Sequence, residues 1–109
     1  MAKRPPKRSD RSVRREQERN REKLAADREK LFQLEAGGNK ERPLDASSAA
    51  VIEAHAASVP CPRCEGQQEV LEHSALIHKG VRLREAKLRC RKCGSERSLF
   101  FRIVGPSIN

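Results

Sequence analysis

Two Cys-x-x-Cys pairs contain all four cysteines of this 109-residue chain: Cys61 with Cys64, and Cys90 with Cys93. Two residues between paired cysteines allow one tight turn to direct both sulfurs at a single point about 2.3 Å away. Four thiolates complete a tetrahedral zinc shell and leave no position for a reactive water molecule. The spacing therefore predicts one structural zinc ion, with these four cysteines as its ligands.

The cysteines have other possible uses, which the rest of the sequence disfavours. Disulfides suit a secreted chain, but the basic N-terminal sequence has no apolar stretch typical of a signal peptide. A thioredoxin-like redox pair opens a helix that follows a strand, and neither pair has that setting. An iron–sulfur cluster is a third use of four thiolates. We expect zinc in a reducing compartment, the cytoplasm or, in a eukaryote, the nucleus.

A glycine follows each pair. Gly94 comes directly after Cys93, and Gly66 comes two residues after Cys64. The chain that returns from such a turn often needs a positive φ, which glycine adopts without a steric penalty. The pattern is typical of two zinc knuckles, and both glycines are predicted to have positive φ.

The composition limits the size of the hydrophobic core. Charged residues make up 36% of the chain, and its aromatic residues are three phenylalanines. Domains below about 70 residues usually need a metal, disulfides or a partner for stability, so we expect metal binding and folding to be coupled. No segment approaches the roughly 20 apolar residues of a membrane span. One small domain in a soluble protein is expected.

The elements that position the cysteines follow from local composition. Helix-forming Arg, Glu, Lys, Leu and Ala dominate from residue 10 until a Gly-Gly-Asn stop at 37–39. Before this segment, clustered prolines and basic residues favour disorder. The predicted organisation is a basic disordered tail (1–9), a charged helix (10–36), a linker with a short helix (37–58), a zinc-binding unit (59–104) and a C-terminal tail (105–109).

The apolar stripe of the long helix is thin. Val13, Leu24 and Leu31 fall near one face, with Ala25 and Phe32 beside them. Polar residues interrupt the heptad pattern that a coiled coil needs. A solvated or partner-dependent helix is therefore favoured over a coiled-coil dimer or docking on the zinc-binding unit.

The linker helix is rich in alanine and is predicted to end near Ala57, with Asp45 or Ser47 as its N-cap. Its apolar residues Val51 and Ile52 can contact a neighbouring element. A plain connector is an equally good interpretation of so small an apolar surface.

Alternating apolar residues predict strands after the first knuckle. One strand begins near Gln67, turns at 78–80 and returns over 81–89, and a third strand covers 99–104. Cys90 sets the phase of the middle strand, because Ala86 and Leu88 share its face whereas Lys87 and Arg89 lie on the other. The predicted fold is a small α+β protein: a three-stranded antiparallel sheet with a long N-terminal helix and a short second helix.

Residues 59–104 resemble the zinc ribbon class, on the motifs Cys61-Pro62-Arg63-Cys64 and Cys90-Arg91-Lys92-Cys93-Gly94. The long insert between the pairs is most similar to ribbons of transcription elongation and RNA polymerase-associated proteins. The resemblance covers under half of the chain and implies a structural zinc. Transcript-cleavage members of the class carry an Asp-Glu pair at the hairpin tip, but here residues 75–81 contain no acidic residue, so that activity is not expected.

The net charge of +9 is concentrated in two regions. Residues 1–15 hold seven Lys/Arg and one Asp, and residues 59–109 hold ten Lys/Arg and five Glu. Such surfaces neutralise phosphates, so we expect binding to RNA or DNA, or to a nucleoprotein machine such as a polymerase or ribosome. The candidate phosphate-binding residues are Arg82, Arg84, Lys87, Arg89, Arg91, Lys92, Arg97 and Arg102. Phe100 and Phe101 are candidates for base stacking, although adjacent strand residues face opposite ways.

Two other functional classes compete with nucleic-acid binding. In a protein-interaction adaptor, the zinc-binding unit or the long helix would dock on a protein, and the basic charge would serve solubility. An enzyme has less support. His73 and His78 flank the hairpin, but no motif places a nucleophile or a carboxylate pair beside them. We expect that the protein is not an enzyme.

Overall fold

The computed structural model describes residues 9–104. Its elements are α1 (Asp10–Leu34), β1 (Leu44–Ala46), α2 (Ala49–Ser58), β2 (Gln68–His78), β3 (Val81–Cys90) and β4 (Glu96–Ile103). The small α+β class is confirmed. Of the predicted tails, 1–9 and 105–109, residues 1–8 and 105–109 lie outside the described residues, and Ser9 is the N-cap of α1. No helix in the described part is long and apolar enough to cross a membrane.

The four strands form one mixed sheet in the order β1-β4-β3-β2. The three predicted antiparallel strands are present as β2, β3 and β4, but β1 adds a fourth strand parallel to β4. The prediction of a wholly antiparallel, three-stranded sheet was therefore wrong. Strand β1 has only three residues, 44–46, which are too few for the alternating pattern that identifies a strand in a sequence.

The N-cap of the short helix α2 lies one residue after Ser47 and three residues after Asp45, the two predicted caps. Ser48 is the N-cap, and its hydroxyl accepts a hydrogen bond from the Val51 amide at 3.4 Å. Asp45 cannot cap the helix because it belongs to β1. Ile52 and Ala56, one turn apart, are fully buried against the sheet, whereas Val51 is exposed. The segment is therefore part of the core and not a plain connector.

The turn between β2 and β3 consists of Lys79 and Gly80, which have φ angles of 50° and 78°. Positive φ at both central residues is the type I′ geometry, which matches the twist of a hairpin. The strands remain in register from the tip to the first knuckle, apart from a bulge between Val70 and Glu72. The hairpin therefore brings its base, which carries Cys90, close to the first cysteine pair.

The main core lies between α2 and one face of the sheet. Its buried residues are Ala46, Ile52, Ala56, Ala86, Leu88, Leu99 and Phe101. The predicted phase of β3 is confirmed, because Cys90 is buried together with Ala86 and Leu88 whereas Lys87 and Arg89 are exposed. On the opposite face, Leu83 and Phe100 are buried, and the Lys40 ammonium lies 5.9 Å from the centre of the Phe100 ring.

Helix α1 docks on the rest of the chain through a different face from the one its leucines suggest. Phe32 packs against the core, but Leu24 and Leu31 are 50% and 60% exposed. The helix end is attached by Gly37, whose φ is 87°. The Gly37 amide donates to the Arg42 carbonyl at 2.5 Å, and its carbonyl accepts from the Phe100 amide at 2.8 Å. The favoured prediction of an undocked helix therefore fails for this C-terminal part of α1.

Candidate metal centre

The four cysteine sulfurs converge. All four Sγ atoms lie within 4.8 Å of one another. The Sγ atoms of Cys61 and Cys93 are 3.7 Å apart, and those of Cys64 and Cys90 are 3.4 Å apart. A tetrahedral ion bound at about 2.3 Å separates its sulfurs by about 3.8 Å, whereas a disulfide joins them at about 2.05 Å. The free cysteines are therefore arranged to hold a metal ion.

The first knuckle, residues 61–66, is a closed backbone turn. The Cys61 amide donates to the Gly66 carbonyl at 3.0 Å, and the Glu65 amide donates to the Cys61 carbonyl at 2.8 Å. Glu65 has the positive φ of this turn, 62°, so the prediction for Gly66 was wrong. Gly66 is needed for close packing, because a Cβ there would lie 2.8 Å from the Cys90 sulfur and 2.7 Å from the Lys92 Cβ.

The second knuckle, residues 90–95, repeats the same two hydrogen bonds. The Cys90 amide donates to the Ser95 carbonyl, and the Gly94 amide donates to the Cys90 carbonyl, both at 2.9 Å. Gly94 has φ 76°, as predicted. The Lys92 and Cys93 amides also point at the Cys90 sulfur, at 3.3 and 3.4 Å. Amide donors of this kind stabilise a thiolate ligand.

Hydrogen bonds favour the thiolate at three of the four positions. Burial alone would raise the pKa of Cys90, but the backbone amides of its knuckle lower it overall. Burial likewise acts to raise the pKa of Cys61, but hydrogen bonds, first among them that from Ser95, lower it. The Ser95 hydroxyl, 3.0 Å from the Cys93 sulfur, lowers the pKa of Cys93. Desolvation raises the pKa of Cys64 to about 12, so the charge of a bound cation is needed to deprotonate it.

A buried arginine lies behind the metal centre. Arg97 is 8% exposed and donates to the Ser95 hydroxyl at 2.6 Å, to the Gln68 side-chain carbonyl, and to both Glu29 carboxylate oxygens at 3.2 Å. Gln68 is also buried, and its amide donates to the Val59 carbonyl at 2.9 Å. These partners satisfy a charge that would otherwise be costly to bury. Arg97, predicted to bind phosphate, therefore connects the second knuckle to α1.

A second ion pair joins α1 to the first knuckle. Arg63, between the two cysteines of the first pair, donates to the carboxylate of Glu22, which raises the pKa of Arg63. Glu22 and Glu29 are seven residues apart and lie on one face of the helix. Each knuckle region thus binds one carboxylate of α1. Sequence analysis missed both contacts because nothing local distinguishes these glutamates from the other acidic residues of the helix.

Four of the predicted phosphate-binding residues form ion pairs on the surface. The pairs are Lys87 with Glu72 (3.5 Å), Arg89 and Arg91 with Glu69 (2.9 and 3.5 Å), and Arg102 with Asp45 (3.0 Å). Exposed pairs of this kind contribute roughly 0–1 kcal/mol, so an approaching phosphate can compete for the cation. They nevertheless lower the positive potential of the sheet.

The remaining three candidate phosphate-binding residues lie at two separate places in the fold. Arg82 and Arg84 are near the hairpin tip on the α2 face, since Arg84 is the register partner of the buried Phe101. Lys92 is exposed in the second knuckle. Within residues 9–104 none of the three has an ion-pair partner. Because Lys87 and Arg89 are on the opposite face, the structure does not bring the eight candidates into one surface.

The candidate stacking residues Phe100 and Phe101 are buried, and both hairpin histidines contact other side chains of the fold. Phe101 is fully buried and Phe100 is 9% exposed. The His73 Nδ1 atom lies 3.2 Å from a Glu53 carboxylate oxygen, and its buried Nε2 atom has no partner among the described residues. His78, on the other face of the sheet, lies near the hairpin tip. The two histidines therefore do not share a site.

Comparisons of the chain with protein-family models, with curated proteins and with solved structures give no match. The assignment of a metal centre therefore rests on the convergence of the four sulfurs and on the two knuckle turns. The likeness to the zinc ribbon class remains one of motif and hairpin arrangement.

Proposed function

We propose that this protein is a non-enzymatic zinc ribbon protein of the cytoplasm, or of the nucleus in a eukaryote, that binds nucleic acid. Its partner is RNA or DNA, either free or within a machine of transcription or translation. The observation that carries the zinc assignment is the convergence of four sulfurs within 4.8 Å of one another. Soft thiolate ligands in a closed tetrahedral site select zinc over the hard cations that prefer oxygen.

The zinc ion stabilises the fold in this proposal. Cys61 and Cys90 are both buried, and each begins a turn that joins two parts of the chain. The apolar core contains few large side chains, so metal binding supplies folding free energy that the core lacks. Four thiolates leave no open coordination position, which favours a structural role over catalysis.

The support for nucleic-acid binding is the excess of exposed positive charge. The net charge is +9, and Arg82, Arg84 and Lys92 have no ion-pair partner within residues 9–104. Arg89, Arg91, Lys87 and Arg102 remain on the surface in weak pairs, whereas the buried Arg97 is withdrawn from the set. Contacts of this kind bind the phosphate backbone and release counterions without reading the base sequence.

Salt dependence tests the proposal directly. Fluorescence anisotropy of labelled RNA and DNA with the zinc-loaded chain should show binding that weakens steeply as salt rises. The logarithm of the association constant should fall linearly with the logarithm of salt concentration. If neither nucleic acid binds at low salt, the nucleic-acid proposal is wrong.

A protein-interaction adaptor is the second candidate. It is favoured by exposed apolar side chains at the distal end of the sheet, where Ile77, 72% exposed, and the exposed Ile103 lie on the same face. A group of this kind at one end of a small sheet is a typical protein contact. Binding that does not change with salt, to a protein partner and not to nucleic acid, would support this candidate.

A further inference from the structure

Two of the six acidic side chains of α1 contact the rest of the fold, and all eight of its basic side chains are exposed. Glu22 and Glu29 face the ribbon, residues 59–104, where they bind Arg63 and Arg97. All the lysine and arginine side chains of the helix are exposed, and within residues 9–104 none has an ion-pair partner. These cations are Arg11, Arg14, Arg15, Arg19, Arg21, Lys23, Arg28 and Lys30. The ribbon neutralises two of the six acidic residues of the helix, so the side chains of α1 that do not contact the ribbon include eight cations and four carboxylates.

We propose that α1, more than the ribbon, contacts the phosphates of a double-stranded nucleic acid. This inference rests on the nucleic-acid binding proposed above and assigns it to a surface and a class of partner. The argument is charge complementarity. Within residues 9–104, α1 presents eight cations without an ion-pair partner on one continuous helix, whereas the ribbon cations without a partner there are Arg82, Arg84 and Lys92, which lie apart.

Most side chains in the N-terminal part of α1, residues 10–21, are exposed. No residue of the helix is buried, and its ion pairs with the ribbon begin at Glu22. Residues 10–21 therefore extend from the ribbon for about 18 Å, which corresponds to about five base-pair steps. A helix about 10–12 Å in diameter fits the major groove of B-form DNA, which is about 12 Å wide; the major groove of A-form RNA is too narrow for it, so on an RNA duplex the helix would contact phosphates only. The two ion pairs and Phe32 fix the other end of the helix.

The aromatic residues favour a duplex over a single strand. Proteins that bind single strands usually stack bases on exposed aromatic side chains. This chain has three aromatic residues: Phe100 and Phe101 are buried, and Phe32 packs against the core. With no free aromatic surface, the available contacts are to phosphates, which a duplex presents at regular spacing on both sides of a groove.

The test compares two variants of the full zinc-loaded chain that have the same net charge. The helix variant replaces Arg14, Arg15 and Arg21 with Gln, a good helix former. The ribbon variant replaces the three unpaired ribbon cations with Gln. Both are titrated against labelled duplex DNA, duplex RNA and a single strand of about 20 nucleotides, from about 50 to about 200 mM salt.

We expect the helix variant to bind a duplex more than about tenfold more weakly at about 100 mM salt, with a salt slope shallower by about 2–3. The ribbon variant should bind the duplex only a few-fold more weakly than the wild-type chain. Replacing the same three helix arginines with Lys should retain binding, which separates loss of charge from loss of structure. Circular dichroism of each variant checks the helix content. The DNA and RNA arms show which duplex is preferred.

Three results would overturn the inference. An equal or larger loss for the ribbon variant would place the main contact on the ribbon and leave the proposed function intact. Tighter binding of the wild-type chain to the single strand would reject a duplex as the partner. No binding of the wild-type chain to any of the three probes at low salt would reject both the inference and the proposed function.

Discussion

The two knuckles have the same backbone turn but different surroundings. In both, the first cysteine closes the turn with two backbone hydrogen bonds. The positive φ belongs to Glu65 in the first knuckle and to Gly94 in the second. Gly66 packs tightly against the second knuckle, whereas a Cβ on Gly94 would meet open space. Equivalent-looking glycines therefore have different roles: Gly66 permits close packing, and Gly94 permits a backbone conformation.

The knuckles also differ in how they bind α1. The Arg97–Glu29 pair beside the second knuckle is almost completely buried, with 3% and 16% of the two side chains exposed. The Arg63–Glu22 pair of the first knuckle is far more accessible, with Glu22 73% exposed. Buried charges depend strongly on their partners, whereas exposed pairs contribute little. The second knuckle should therefore determine how firmly the helix is attached.

Removing the metal should have the largest effect, because both knuckles should lose their structure together. Cys61→Ser or Cys90→Ser removes one of four thiolates, and the apparent free energy of zinc binding in small zinc domains is about 10–16 kcal/mol. Native mass spectrometry should find one zinc per wild-type chain and none in either variant. Circular dichroism should show that the variants, and the wild-type chain treated with a chelator, lose the sheet. A folded, metal-free chain with intact thiols would contradict the metal assignment.

A smaller loss of stability is expected when either of the two ion pairs that hold α1 is broken, and the loss should differ between them. Arg97→Ala leaves the Glu29 carboxylate and the Gln68 side chain without their buried partner, which should lower the free energy of unfolding by about 3–5 kcal/mol. Glu22→Gln, at the exposed pair of the first knuckle, should change it very little. Chemical denaturation of the zinc-loaded variants measures both. Equal losses in the two variants would mean that the knuckles hold α1 equally.

Replacing either knuckle glycine with Ala should have the smallest effect on stability, but the two variants should differ in zinc affinity. Gly66→Ala places a methyl group against the Cys90 sulfur, and overpacking of this kind costs about 1–3 kcal/mol. Gly94→Ala meets no neighbour but requires a left-handed conformation, at about 1–2 kcal/mol. Only Gly66→Ala should also weaken zinc binding, measured by competition with a chromogenic chelator. Equal zinc affinities would show that the close contact at Gly66 does not constrain the metal centre.

The convergence of the four cysteines and the hairpin could be predicted because their signals are local. The identity and spacing of the cysteines are visible in the sequence, and the alternation around Leu88 identifies the buried face of β3. The strand β1 could not be predicted, because three residues carry no period and its partner β4 is far along the chain. The same applies to Glu65, whose positive φ is imposed by the turn that it closes.

The burial of Arg97 did have a signal in the sequence. Arg97, Leu99 and Phe101 alternate along β4, so the two apolar residues place the arginine on the core face. Its positive charge alone predicted that Arg97 is exposed and binds phosphate. The alternation along the strand predicts its burial correctly. For α1, the thin apolar stripe through Leu24 and Leu31 favoured a solvated or partner-dependent helix, and both leucines are exposed, but the C-terminal part of the helix is docked. The ion pairs with the ribbon, which depend on the tertiary fold, determine the orientation of the helix.

The hydroxyl of Ser95 connects the metal centre to the helix. It lies 3.0 Å from the Cys93 sulfur and 3.6 Å from the Cys61 sulfur, and it accepts a hydrogen bond from Arg97, which binds Glu29 of α1. A continuous series of contacts thus runs from the sulfurs to the helix. Because Ser95 contacts both the sulfurs and Arg97, we expect that disrupting the four-sulfur arrangement also weakens the attachment of α1 to the ribbon.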